Sequence, residues 1–103
     1  MIIGKELPMQ SDALTLYKLI ILFLLDKVDF PLTNAQISNF ILEKEYTNYF
    51  NIQQSMSELI EAEFVTVETI GHSSHYRITD SGRETLSFFG YMISSAIQED
   101  ILE

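Results

Sequence analysis

Cysteine is absent from the 103 residues, which excludes a disulfide framework, a thiolate nucleophile and a cysteine-ligated zinc finger. Glycine occurs four times, too sparsely for a loop that cradles phosphate. Long apolar runs are missing too. The longest, residues 19–25, is flanked by Lys18 and Asp26 and falls far short of the roughly 18–20 residues that cross a bilayer. No basic cluster precedes an apolar stretch at the N-terminus, so residues 1–10 do not read as a secretory leader. These absences together point to a cytoplasmic protein without a membrane segment.

Positive charge is also scarce. Six Lys and Arg stand against 15 Asp and Glu, a net charge of −9. Nucleic acids and anionic membranes recruit Lys and Arg, so the whole-chain balance argues against simple electrostatic attachment to either. What the chain does have is core material: it is 47% hydrophobic and 12% aromatic, enough for one folded domain and no more.

Periodicity orders that material. Leu14, Tyr17, Ile21, Leu24 and Val28 recur at helical spacing, so a helix capped by Ser11 or Asp12 is expected to run to Val28, buried on most sides. Pro31 interrupts it. Thr33 and Gln36 then have the spacing of a capping box, opening a helix to about Lys44 with Ile37, Phe40 and Ile41 inward. Residues 46–50 read as an aromatic connecting turn. Asn51, with Gln54 three positions on, opens a third helix whose buried stripe is Ile52, Met56, Leu59 and Ile60. The period then changes to that of strands, over residues 64–70 and 75–79, joined by a turn at 71–74. Thr79 or Asp80 caps a fourth helix expected to continue to the chain end.

Three helices, a two-stranded hairpin and another helix follow the order of an α+β, mostly helical winged helix-turn-helix. Residues 31–33 supply the small third strand. Residues 1–103 form one domain, with a winged-helix core at 11–79 and a C-terminal helix at 80–103. Leu32-Thr33-Asn34, Tyr46-Thr47-Asn48-Tyr49-Phe50 and Ile78-Thr79-Asp80-Ser81-Gly82 carry a resemblance across about residues 14–90. The chain resembles bacterial regulators of the PadR and MarR type and is most similar to the domain-of-unknown-function family numbered 4364. The resemblance implies a DNA-binding transcriptional regulator. Members of that family carry a further C-terminal region, which implies that this chain is a truncated or shorter member.

In such folds the third helix enters the major groove. Gln53, Gln54 and Ser57 are the residues on it competent to read base edges, and Lys44, Arg77 and Arg83 are the candidate phosphate contacts. Lys18 and Lys27 are more distant. Tyr46, Asn48 and Tyr49 offer uncharged backbone contacts or simply pack in the turn. Yet residues 51–63 carry Glu58, Glu61 and Glu63 and no Lys or Arg, a net −3, and residues 64–79 balance Glu68 against Arg77. Phosphate contacts hold a recognition helix in register, so this tally opens an alternative: a protein-interaction module that does not bind DNA.

The C-terminal helix would be roughly 30–35 Å long at about 1.5 Å per residue. Its stripe of Leu86, Phe89, Ile93, Ile97 and Ile101, widened by Phe88, Met92, Ala96 and Leu102, exceeds what a small body covers, so a homodimer interface is expected there. Acids at 99, 100 and 103 sit unfavourably at a helix C-terminus. Tyr17, Phe88, Phe89 and Tyr91 read as core. His72 and His75 lack companion ligands, and Ser55, Ser57, Ser73 and Ser74 lack an organised base. No metal, no cofactor and no enzymatic activity are therefore expected.

Overall fold

The computed structural model describes residues 8–102; side chains are described from residue 13, and the reading of residues 1–7 as leaderless lies outside the described residues. The first helix, α1 (Pro8–Lys27), starts ahead of the expected cap at Ser11 or Asp12. Proline suits a first helical turn, where its fixed φ helps and its missing amide costs nothing. Leu19, Ile20, Ile21, Leu22, Leu24 and Leu25 are all buried, because α1 is the hub that packs against three of the later helices and the middle strand of the sheet. The apolar run is therefore central core. No helix among the described residues is long and apolar enough to cross a membrane.

Strand β1 (Leu32–Thr33) leads into α2 (Asn34–Glu43) through the expected capping box, with the Gln36 amide donating to Thr33 Oγ1 at 3.1 Å and the Thr33 amide donating to Gln36 Oε1 at 2.9 Å. The third helix, α3 (Tyr49–Glu61), begins three residues earlier than expected. Asn48, not Asn51, is its cap, accepting from the Asn51 amide at 2.8 Å. Ile52, Met56 and Leu59 face the core as the periodicity requires. Both α2 and α3 end in the same six-residue arrangement. The Tyr46 amide returns to Ile41 O and the Phe64 amide to Leu59 O, with Glu45 (φ 62°) and Glu63 (φ 66°) in the left-handed position.

The sheet has the order β1-β3-β2, from β2 (Val65–Ile70) and β3 (Ser73–Ile78) with β1 on the other edge of β3. The hairpin turn is Gly71-His72 alone, with Gly71 at φ +65°, which a two-residue turn needs at its first central position.

Thr79 then caps α4 (Asp80–Phe89). Here the expected single helix to the chain end is corrected. α4 stops at Phe89, a short 3-10 turn covers Gly90–Met92, Ile93 is extended, and α5 (Ser95–Leu102) follows with Ser94 Oγ accepting from the Ile97 amide at 3.3 Å. Glycine at residue 90 and a serine cap at 94 weaken a continuous helix. The reversal buries Ile93 and Ile101 against the domain's own core, which a straight helix would carry away.

The Tyr46 hydroxyl donates to Asp100 Oδ2 at 2.6 Å, pinning α5 to the end of α2 and giving that C-terminal acid a partner. Burial first, then the hydrogen bond to Asp100 and its charge, push the Tyr46 phenol up to about 12. The folded state thus holds the neutral phenol beyond the ordinary value near 10. Its contribution is complete below pH ~10 and is lost as pH rises toward ~12. Tyr46→Phe is expected to cost about 1 kcal/mol near neutral pH. Urea melts at pH ~9 and ~11 should show the wild type losing more stability between them than the variant does.

Candidate functional site

The outward stripe of α3 is Phe50, Gln54, Ser57 and Glu61, spaced at four, three and four residues, on the side away from Ile52, Met56 and Leu59. Phe50 is 73% exposed and its neighbour Tyr49 56%, so both aromatics face solvent from the first turn of the helix and are not part of a connecting turn. Ser57 and Glu61 are exposed; Gln54 is half-buried and its amide donates to Glu58 Oε2 at 3.2 Å.

Gln53 does not belong to that stripe. Its amide nitrogen donates to Asn34 Oδ1 at 3.0 Å and to Ser38 Oγ at 3.1 Å, while its oxygen accepts from Asn34 Nδ2 at 2.8 Å. Ser38 Oγ in turn donates to Asn34 Oδ1 at 2.9 Å. The side chain that looked suited to adenine is a bracket between α2 and α3, with both ends of its amide occupied. Periodicity places Gln53 near the edge of the stripe, and only the helix crossing shows what it meets.

The charges are rearranged as well. Lys18 Nζ lies 2.6 Å from Glu58 Oε1, so the first helix neutralises one of the three acids of the third. The Lys18 hydrogen bond holds the Glu58 carboxyl below its ordinary range, against the opposing effect of partial burial. Arg77 sits 3.8 Å from Glu68 across the hairpin. Arg83 reaches Asp26 at 3.3 Å and Asp80 at 3.1 Å. Arg77 and Arg83 do converge, on a cleft of about 250 Å³ shared with Asp26, Asp29 and Phe30, but no residue of α3 lines it. Lys27 lies 3.9 Å from Asp26 and over the Phe23 ring. Lys44 stacks over Phe40, 5.9 Å from its centroid, and has no carboxylate partner among the described residues. Of the three basic candidates, Arg77 and Arg83 thus share a cleft that α3 does not line, and each of the two has a carboxylate partner.

The expected dimer stripe divides in the same way. Leu86, Ile93 and Ile101 are buried in the domain's own core and Ile97 packs against it, so they are not available to a second chain. Phe89 is exposed, together with Phe88, Tyr91 and Met92, contrary to the reading of the three aromatics as core. His75 Nδ1 lies 3.3 Å from Ser73 O in the wing, and no group of three His, Asp or Glu among the described residues could hold a metal ion.

Element order, the three-stranded sheet and the capped third helix define an α+β, winged-helix-like domain whose third helix presents aromatic and acidic side chains. The chain belongs to the domain of unknown function family DUF4364, whose family model matches residues 17–103. No curated protein and no solved structure matches it.

Proposed function

We propose that this domain is a regulatory binding module, not a catalyst, and that the outward stripe of α3 docks a protein partner instead of reading a DNA duplex. Support comes from the fate of the readout set. Gln53 is consumed by Asn34 and Ser38, and Arg77 and Arg83 face carboxylates around a separate cleft. What α3 offers instead is Phe50 and Tyr49 beside Ser57 and Glu61. Exposed aromatics flanked by polar groups are typical anchors of protein interfaces, whereas duplex binding depends on Lys and Arg at phosphates.

A second reading, a winged-helix transcriptional regulator of the PadR or MarR type, is favoured by the element order and by Gln54 and Ser57 on the exposed side of α3, with Lys44 the one basic candidate that lacks a carboxylate. Charge separates the two. Glu61→Lys combined with Glu63→Lys is expected to create duplex affinity absent from the wild type, read by anisotropy at ~50 mM salt. Duplex binding by the wild type as tight as by the variant, both measurable, would overturn the docking proposal.

A further inference from the structure

We infer that the free edge of β2 is a strand-addition site for an extended, basic and apolar segment of a protein partner. This surface is separate from the α3 stripe and would exist even if that stripe bound DNA. The pairing Val65↔Ile78 to Ile70↔Ser73 runs without a bulge, and the turn closes on its last pair. At the other end the Thr79 amide donates to Phe64 O at 3.0 Å. In an antiparallel ladder the bonded positions alternate, so Thr66, Glu68 and Ile70 exchange bonds with β3, while Val67 and Thr69 direct their amides and carbonyls away from it. With β2 at the sheet edge, no backbone hydrogen bond among the described residues takes those groups.

Edges of this kind are ordinarily blunted by proline, lysine, a bulge or extreme shortness. β2 has none of these: it is six residues, VTVETI, with one charge, Glu68, already facing Arg77. Beside it lies a shallow groove of about 580 Å³ lined by Ile60, Val65 and Val67 and by the α4 start, with the carboxylate of Glu63 on one wall and that of Asp80, already held by Arg83, on another. An added strand would bond to Val67 and Thr69 and set every second side chain over this apolar floor, the usual division between affinity and specificity in strand addition. The Glu63 carboxylate selects Lys or Arg beside the apolar residue. That acid and the net charge of −9 also disfavour a second copy of this chain as the occupant.

The test uses a blocked, fluorescent peptide of alternating Lys and Val, ~6 residues long to match β2. An equally long Glu-Val peptide serves as the counter-probe. Amide exchange on the wild type is expected to show protection of Val67 and Thr69 on adding the Lys-Val peptide, with Thr66, Glu68 and Ile70 unchanged. Val67→Pro removes an outward amide without removing a ladder bond and is expected to weaken binding at least ~10-fold with the hairpin intact. Binding without protection of those two amides, no binding at ~1 mM, or equal affinity for the Glu-Val peptide would overturn the inference. So would protection by self-association in the absence of peptide. Because these readouts sit on β2, they succeed or fail independently of the α3 proposal.

Discussion

Gly82→Ala is expected to destabilise the domain by about 3 kcal/mol, against the usual gain of about 1 kcal/mol when alanine replaces glycine inside a helix. The reversed sign comes from the junction where α4 leaves the hairpin. A Cβ on Gly82 would overlap the backbone carbonyl of Phe64 and lie 2.8 Å from Ile78 Cγ1. Neither the Phe64 carbonyl nor the helix turn can yield cheaply. Phe64 O already accepts from the Thr79 amide at 3.0 Å, and Thr79 Oγ1 donates to Glu63 O at 2.8 Å while accepting from the Gly82 amide at 3.0 Å. Urea unfolding should show the midpoint falling at unchanged slope. A stability equal to or above wild type would contradict the close approach. The physical reason for glycine in the Ile-Thr-Asp-Ser-Gly segment is thus structural: it lets α4 seat on the α3–β2 junction.

Ile93→Ala is the second large effect, expected to cost about 3 kcal/mol, within the range for truncating a fully buried isoleucine. Ile93 is 2% exposed inside a single chain. The loss should therefore be the same at ~1 μM and ~100 μM protein, whereas an Ile93 that closed a dimer would give a concentration-dependent melting temperature. Phe89→Ala, on the exposed side of the same segment, should stay within about 0.5 kcal/mol of wild type. A concentration-dependent loss in Ile93→Ala would contradict the folded-back arrangement of α5.

The two substitutions also mark how far the sequence can be read. Helical spacing located the inward faces of α2 and α3, and the Thr33–Gln36 box formed as its spacing demands, because both depend on neighbours a few residues apart. Boundaries were harder. Glutamates occupy the left-handed ends of α2 and α3, where glycine would have signalled the stop, so Glu45 and Glu63 gave no local cue. The break at Gly90 had a cue, but hydrophobic spacing continues through it. The packing of Ile93 and Ile101 into the core, with the Tyr46–Asp100 hydrogen bond, makes the reversal favourable.

The site shows the same division. The acidic character of α3 is plain in a residue count, yet its partner Lys18 lies 40 positions away from Glu58 in sequence (58 minus 18), and Arg83 meets Asp26 from 57 positions (83 minus 26). Such pairings follow from the crossing of α1 with α3 and α4. Gln53 likewise looked like a reader until α2 brought Asn34 and Ser38 against it. Conversely, Tyr49 and Phe50 were legible as unusual aromatic weight, and Asn48, as the cap, sets them on the first turn of α3.

An α3 that presents a protein-docking stripe leaves duplex DNA unbound. Titration of the wild-type chain into a labelled pool of random-sequence duplexes at ~50 mM salt, followed by anisotropy, decides the matter. No binding is expected at ~10 μM protein. Binding that weakens steeply with added salt and is lost in Lys44→Ala or Ser57→Ala would mean that α3 reads the duplex instead.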